Sequence, residues 1–132
     1  MRTSPELQLL AAAVVIGFVQ LMWATVAATR QRGDLAWGVG PRDEPRPLQG
    51  TPARLERAFN NFMETFPLFA AAVVAAYLAG KLGTLTLWGS GLYVAARAFY
   101  VPLYALGVPT IRSIVWGISL VGLLMVTAAT FL

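Results

Sequence analysis

Four long stretches of the chain contain almost no charged residue, and this pattern restricts the possible folds more than any other feature. They cover residues 7–29, 58–80, 82–106 and 113–132. A helix needs about 20 apolar residues to cross the hydrocarbon core of a bilayer. Because lipid gives the backbone no hydrogen-bond partner, helices are the expected spanning form. The sequence therefore predicts an all-α integral membrane protein, a bundle of four transmembrane helices.

The predicted organisation is a single transmembrane domain over residues 1–132. Its helices span about residues 6–29, 55–80, 82–106 and 110–132, and the Gly- and Pro-rich residues 30–54 form a cytoplasmic loop rather than a helix. The first apolar stretch is also compatible with a secretory signal peptide. We favour a retained helix, because a signal sequence has an apolar region of only about 7–15 residues.

Basic residues are distributed unequally between the two sides of the predicted bundle. Six arginines lie within residues 30–57 and Arg112 lies on the same side, whereas Arg2 and Lys81 lie on the other. The positive-inside rule therefore predicts a cytoplasmic loop and two termini outside the cytoplasm. The strong preference for arginine over lysine favours a bacterial protein, and hence the inner membrane.

Composition excludes several kinds of chemistry. The chain has no cysteine and no histidine, so it lacks a thiolate nucleophile, a disulfide and the commonest general base and metal ligand. We expect no metal site, and with a net charge of only +4 we expect no nucleic-acid partner. Any reaction must use Arg, Tyr, Asn, Glu or Ser, or a group that a ligand brings.

Polar residues form two stripes inside the predicted helices. They are Arg57, Asn61 and Glu64 on the second helix, Arg97, Tyr100 and Tyr104 on the third, and Arg112 at the start of the fourth. Spacings of three, four and seven residues place each set on one helical face. At 1.5 Å per residue, Glu64 lies about 10 Å deeper than Arg57, a depth similar to that of Arg97. The stripes predict a cationic cavity that opens to the cytoplasm and contains one carboxylate.

Simpler interpretations of the same residues remain open. Glu64 and Arg97 are compatible with an ion pair that fixes helix register. Arg57 and Arg112 are compatible with interfacial anchors, and the tyrosines and tryptophans with an aromatic belt. We favour a binding site because the two stripes lie at matched depth. Arginines and an asparagine suit carboxylates, and a lone glutamate suits an ammonium group. Glutathione is one such ligand, although the residues alone do not single it out.

The residues of these stripes also resemble a known family. Residues 57–67 read R-A-F-N-N-F-M-E-T-F-P and resemble the R-A-x-x-N-x-x-E-x-x-P signature of the membrane-associated proteins in eicosanoid and glutathione metabolism (MAPEG). Ala96-Arg97, Tyr104 and residues 109–113 resemble the second block of that family. The resemblance covers about residues 5–130.

This resemblance implies a homotrimer that binds glutathione between subunits at the cytoplasmic face. It implies that glutathione is held by Arg57, Asn61, Glu64, Arg97 and Tyr104, to which the stripe adds Tyr100. Arg112 and Ser113 match residues that activate or steady the thiolate, which makes them the catalytic candidates. Asn60 departs from the pattern, since prostaglandin synthases of the family have an arginine there.

The expected function is that of a glutathione-dependent transferase or peroxidase acting on a lipophilic electrophile from the bilayer. The alternative is a non-catalytic membrane protein whose polar stripes serve packing and trimer assembly. A small transporter subunit is a third possibility, but no inverted repeat or pair of broken helices supports it.

Overall fold

The computed structural model describes residues 3–132, and this part of the chain is helical without any strand. The helices are α1 (Pro5–Arg32), α2 (Leu35–Val39), α3 (Gly50–Leu78), α4 (Thr84–Ala105) and α5 (Pro109–Phe131). By length and composition α1, α3 and α5 are able to cross a membrane. The predicted all-α membrane protein is therefore confirmed, with three candidate spans rather than four. Arg2, counted above in the charge asymmetry, lies outside the described residues.

Helix α4 has the length of a membrane span but not the composition of the other three. It carries Arg97 and several Tyr, Ser, Thr and Gly residues, which lower its mean hydropathy. It contacts α1, α3 and α5, most extensively α5. A helix that is covered on three sides by other helices exposes little of its surface, so polar side chains on its inner face are tolerated. Helix α3 also contacts the other three long helices, but α4 buries a larger share of its residues.

The segment predicted as a continuous loop is partly helical, and this interpretation was wrong at three places. Helix α1 continues to Arg32 and ends where Gly33 adopts a left-handed φ of 68°. The side chain of Asp34 then accepts hydrogen bonds from the amides of Ala36 and Trp37 and begins α2. Helix α3 already begins at Gly50, because Pro52 falls in its first turn, where the missing N–H of proline costs nothing.

Polar contacts fix the loop between α1 and α3. Gln31 donates to the backbone oxygen of Gln49 at 2.7 Å and accepts from its amide at 2.9 Å. Arg46 forms an ion pair with Asp34 at 3.1 Å. Hydrogen bonds from the Trp37 amide and from Arg46 outweigh desolvation and hold the pKa of Asp34 below its ordinary value. The loop is therefore an ordered cap on the ends of two long helices.

A close approach of two glycines sets the position of α5 against α4. A Cβ atom added to Gly122 would lie 2.5 Å from the backbone oxygen of Gly89, and one added to Gly89 would lie 2.8 Å from the oxygen of Gly122. Small residues allow membrane helices to pack this closely. One turn further along α4, the ring of Tyr93 stacks on Phe69 of α3 at 4.0 Å. These contacts fix the three helices that enclose the cavity described next.

Candidate functional site

A cavity of about 390 Å³ lies between α3, α4 and α5. It is lined by Arg57, Asn60, Asn61, Glu64, Tyr100, Tyr104, Arg112, Ser113 and Trp116. Seven of the eight residues predicted as site residues are in this set, and the eighth, Arg97, lies behind the cavity wall. The structure thus brings together side chains from three helices that are far apart in the sequence.

Helix α3 contributes one face to the cavity, as its residue spacing requires. Arg57 and Glu64 are exposed on the surface of the protomer, and Asn61 is half-buried between them. The cavity therefore opens at the side of the bundle. Asn60 also lines it, next to Asn61 on the same face.

Tyr104 lies between two arginines. The Nε atom of Arg57 donates a hydrogen bond to the Tyr104 hydroxyl at 3.3 Å. The guanidinium carbon of Arg112 lies 4.4 Å from the centre of the Tyr104 ring, which is cation–π distance. Tyr100 packs edge-on against Tyr104, with ring centres 5.5 Å apart. Neither arginine takes part in an ion pair within residues 3–132, so both positive charges are available to a ligand.

Arg97 occupies a different place from the one the sequence predicted. Its side chain is 0% exposed, and Nη1 donates to Oδ1 of Asn61 at 2.9 Å. The guanidinium carbon lies 4.3 Å from the centre of the Tyr100 ring. Arg97 therefore contacts two residues of the cavity wall from the inside, and it does not reach the cavity itself.

The ion pair between Glu64 and Arg97 that the sequence suggested does not form within the protomer. Between residues 3 and 132, the salt bridge of Arg46 with Asp34 is the only one. The physical reason is the direction of the side chains: Glu64 points to the surface, whereas Arg97 points into the bundle, where Asn61 meets it. A neutral amide thus stands where a carboxylate was expected.

Two lining residues were not predicted as site residues. Asn60 follows Arg57 by three positions and shares its helical face, so the spacing alone could have identified it. Trp116 follows Arg112 by four positions, but was interpreted as part of an aromatic belt. Ser113 lies beside Arg112, and its hydroxyl donates to the backbone oxygen of Pro109 at 3.2 Å.

The arrangement suits binding of a small anion that also carries a positive group. Two arginines and two amides can bind carboxylates, and Glu64 can bind an ammonium group. No cysteine is available, and the Ser113 hydroxyl is already a donor to the backbone. A thiolate nucleophile would therefore have to arrive with the ligand.

Fold and cavity together define a helical integral membrane protein with a cationic site between three of its helices. The family model described as MAPEG family matches residues 9–132, nearly the whole chain. The chain belongs to the MAPEG family, as the resemblance of its two sequence blocks predicted, and so to the membrane proteins of eicosanoid and glutathione metabolism. No individual curated protein matches it.

Proposed function

We propose that the protein binds glutathione in this cavity and uses its thiol either to conjugate lipophilic electrophiles, as a glutathione transferase does, or to reduce lipophilic peroxides, as a glutathione peroxidase does. The observation that carries the proposal is the position of Arg57 and Arg112 on either side of Tyr104, with Glu64 at the same cavity. A volume of about 390 Å³ also falls in the usual range of small-molecule sites, about 300–1,000 Å³.

Each residue has a role that follows from its chemistry. The guanidinium of Arg57 and the amides of Asn60 and Asn61 bind the carboxylates, and Glu64 binds the amine. Arg112 lies next to the sulfur and favours the thiolate, because a nearby cation lowers the pKa of a thiol. The thiolate then forms a bond to the electrophilic carbon while the bond from that carbon to its leaving group breaks; with an aryl halide, the products are the thioether and a halide ion. The Ser113 hydroxyl steadies the same thiolate by donating a hydrogen bond to it, in exchange for its present bond to the backbone oxygen of Pro109.

The assembly proposed is a homotrimer that crosses the bilayer four times, with α4 as the fourth span. The opening of the cavity at the side of the bundle supports this, because a second subunit would close it. Exposed apolar side chains along α1, such as Val15 and Phe18, are available for lipid or for a neighbouring subunit. The charge asymmetry supports a position of both termini outside the cytoplasm. The preference for arginine over lysine supports a bacterial inner-membrane protein.

A non-catalytic role is the second candidate, and a specific observation favours it. Arg97 bonds to Asn61, and Arg57 bonds to Tyr104, so two pairs of the polar residues already link α3 to α4. In a non-catalytic role, the polar stripes would hold the helices together, and the protein would have the fold of the family without catalysing its reaction.

Substitution of Arg112 separates the two candidates. Arg112→Lys keeps the charge but loses the planar fork, and Arg112→Ala loses both. Loss of one group that stabilises the reacting anion lowers kcat by about 10²-fold in comparable enzymes. We therefore expect conjugation of a generic aryl halide with glutathione to fall in the order wild type, Lys, Ala, while glutathione affinity falls less.

The matched control is Arg30→Ala, because Arg30 is exposed and lines no part of the cavity. It should conjugate at the wild-type rate, and all variants should keep the wild-type oligomeric state. A wild-type protein that neither binds glutathione nor conjugates, together with an Arg112→Ala variant that loses its assembly, would establish the structural role instead.

A further inference from the structure

Three arginines, one at the end of α1 and two in the loop that follows, surround one tryptophan. The guanidinium carbons of Arg32, Arg42 and Arg46 lie 4.4, 5.6 and 5.8 Å from the centre of the Trp37 ring. The indole N–H donates to the backbone oxygen of Glu44 at 2.6 Å, which fixes the ring. This group, the Trp37 cluster, stands at the ends of α1 and α3 and shares no lining residue with the candidate site.

The Trp37 cluster carries more positive than negative charge. Arg46 pairs with Asp34, whereas Arg32 and Arg42 donate to the backbone oxygens of Arg46 and Gly38 and form no ion pair within residues 3–132. Arg32 and Arg42 both line a second cavity, of about 450 Å³, together with the carboxylates of Asp34 and Glu56. Because Arg46 pairs with Asp34, three arginines stand against two carboxylates here. The surplus of about one positive charge suits an anion.

The backbone of Arg42 is held in an unfavourable conformation. Its φ is 59°, and it is the only non-glycine residue with a positive φ in the described part of the chain. Residues with a Cβ rarely adopt this region, and such strain concentrates at functional sites and ligand clamps. A glycine would adopt the same φ without strain, so an arginine here indicates that its side chain has a use.

The opposite wall of this second cavity is apolar. Leu21, Ala24 and Ala28 of α1 and Phe59 of α3 line it. The wall continues along α1 into exposed apolar residues of the membrane span, such as Phe18. Because α1 is long and apolar enough to cross a membrane, we expect the cationic end of the cavity, at the end of α1, to lie at the depth of the lipid headgroups and the apolar side to lie along the hydrocarbon region.

We propose that this second cavity binds an anionic phospholipid from the leaflet on that side of the membrane. The phosphate lies between Arg32 and Arg42, and an acyl chain lies along the apolar wall of α1. Arginines bind phosphate with two parallel hydrogen bonds, and basic pockets at this depth are typical of lipid headgroup sites. The proposal does not depend on glutathione binding.

Native mass spectrometry of the full-length protein in detergent tests it, with added phosphatidylglycerol, phosphatidylethanolamine or phosphatidylcholine. Wild type should retain phosphatidylglycerol in preference to the other two. Arg42→Gly should lower that retention about fivefold, since one arginine near the surface contributes about that factor to binding of an anionic lipid. Arg30→Gln, on the same helix end but outside the cavity, should retain as much as wild type.

Two further measurements keep the outcome unambiguous. Without lipid, Arg42→Gly should unfold at the wild-type temperature or above it, because glycine relieves the strained φ. If instead it unfolds at a lower temperature and loses lipid in proportion, Arg42 is structural and the proposal is overturned. The proposal would also be overturned if wild type retained the three lipids equally, or if Arg30→Gln lost as much phosphatidylglycerol as Arg42→Gly. It would likewise be overturned if inorganic phosphate stabilised the protein as much as phosphatidylglycerol does.

Discussion

Replacement of Asn61 by alanine should destabilise the bundle through Arg97. The Arg97 side chain is 0% exposed, and Nη1 bonds to Asn61 Oδ1 at 2.9 Å, whereas Nε and Nη2 have no partner within residues 3–132. A hydrogen bond to a charged group contributes about 1.5–3 kcal/mol in proteins. Bonds between membrane helices contribute about 0.6 kcal/mol on average and at most about 1.7. The two ranges meet at about 1.5 kcal/mol, which is the expected loss.

The contact is isolated by a double-mutant cycle. Arg97→Met removes the guanidinium and keeps much of the apolar volume, so in that background Asn61→Ala should cost little, and the coupling energy should be about 1.5 kcal/mol. Glu64→Gln is the control, because Glu64 is exposed and unpaired with Arg97 within the protomer. Residues that do not touch are additive to within about 0.5 kcal/mol.

Reversible unfolding in mixed micelles with a denaturing detergent, followed by circular dichroism, measures both couplings. Additive effects of Asn61→Ala and Arg97→Met would contradict the hydrogen bond. A coupling above about 1 kcal/mol between Glu64 and Arg97 would show that the two charges pair in the assembled protein, and the account of the cavity wall would then be wrong.

Three further results are expected. Gly122→Val should cost about 1–3 kcal/mol in the same unfolding assay by overpacking α4 against α5, whereas Gly117→Val, with open space around it, should cost little. A reporter fused after Leu132 should be active only if it is of the type that works outside the cytoplasm; activity of a cytoplasmic reporter would reverse the orientation. Because folding lowers the pKa of Asp34, protection of the loop from protease should be full above about pH 4 and fall as the pH drops through the lowered pKa, and Asp34→Asn should abolish that step.

The positions that the sequence predicted are those that follow from helical periodicity. Arg57, Asn61 and Glu64 share a face because of their spacing alone, and the structure places all three at one cavity. Periodicity does not say which neighbouring helix a face meets. For that reason the sequence left Glu64 open as a partner of Arg97, whereas the packing of α4 against α3 brings Arg97 to Asn61.

Hydropathy predicted the spans of α1, α3 and α5 and was weakest for α4 and the loop. The Tyr, Ser and Gly residues of α4 lower its hydropathy, because its surroundings are other helices. The loop contains local signals for α2, with Gly33 as the end of α1 and Asp34 as a helix cap. These signals were outweighed by the number of Gly and Pro residues around them. The Trp37 cluster depends on how the loop folds back on the end of α1, and residue spacing in the sequence does not predict such contacts.

The central claim, that the cavity binds glutathione, is tested most directly by a thermal-unfolding titration of the purified full-length protein in detergent. Saturable binding to the folded state stabilises it by about 2.7 kcal/mol at a hundredfold excess over Kd. The unfolding temperature of wild type should therefore rise with glutathione concentration. For Arg57→Gln, the rise of the unfolding temperature should need a higher glutathione concentration than in wild type. For Arg30→Gln, it should follow the wild-type curve. No rise in wild type, or the same shift in both variants, would contradict the claim.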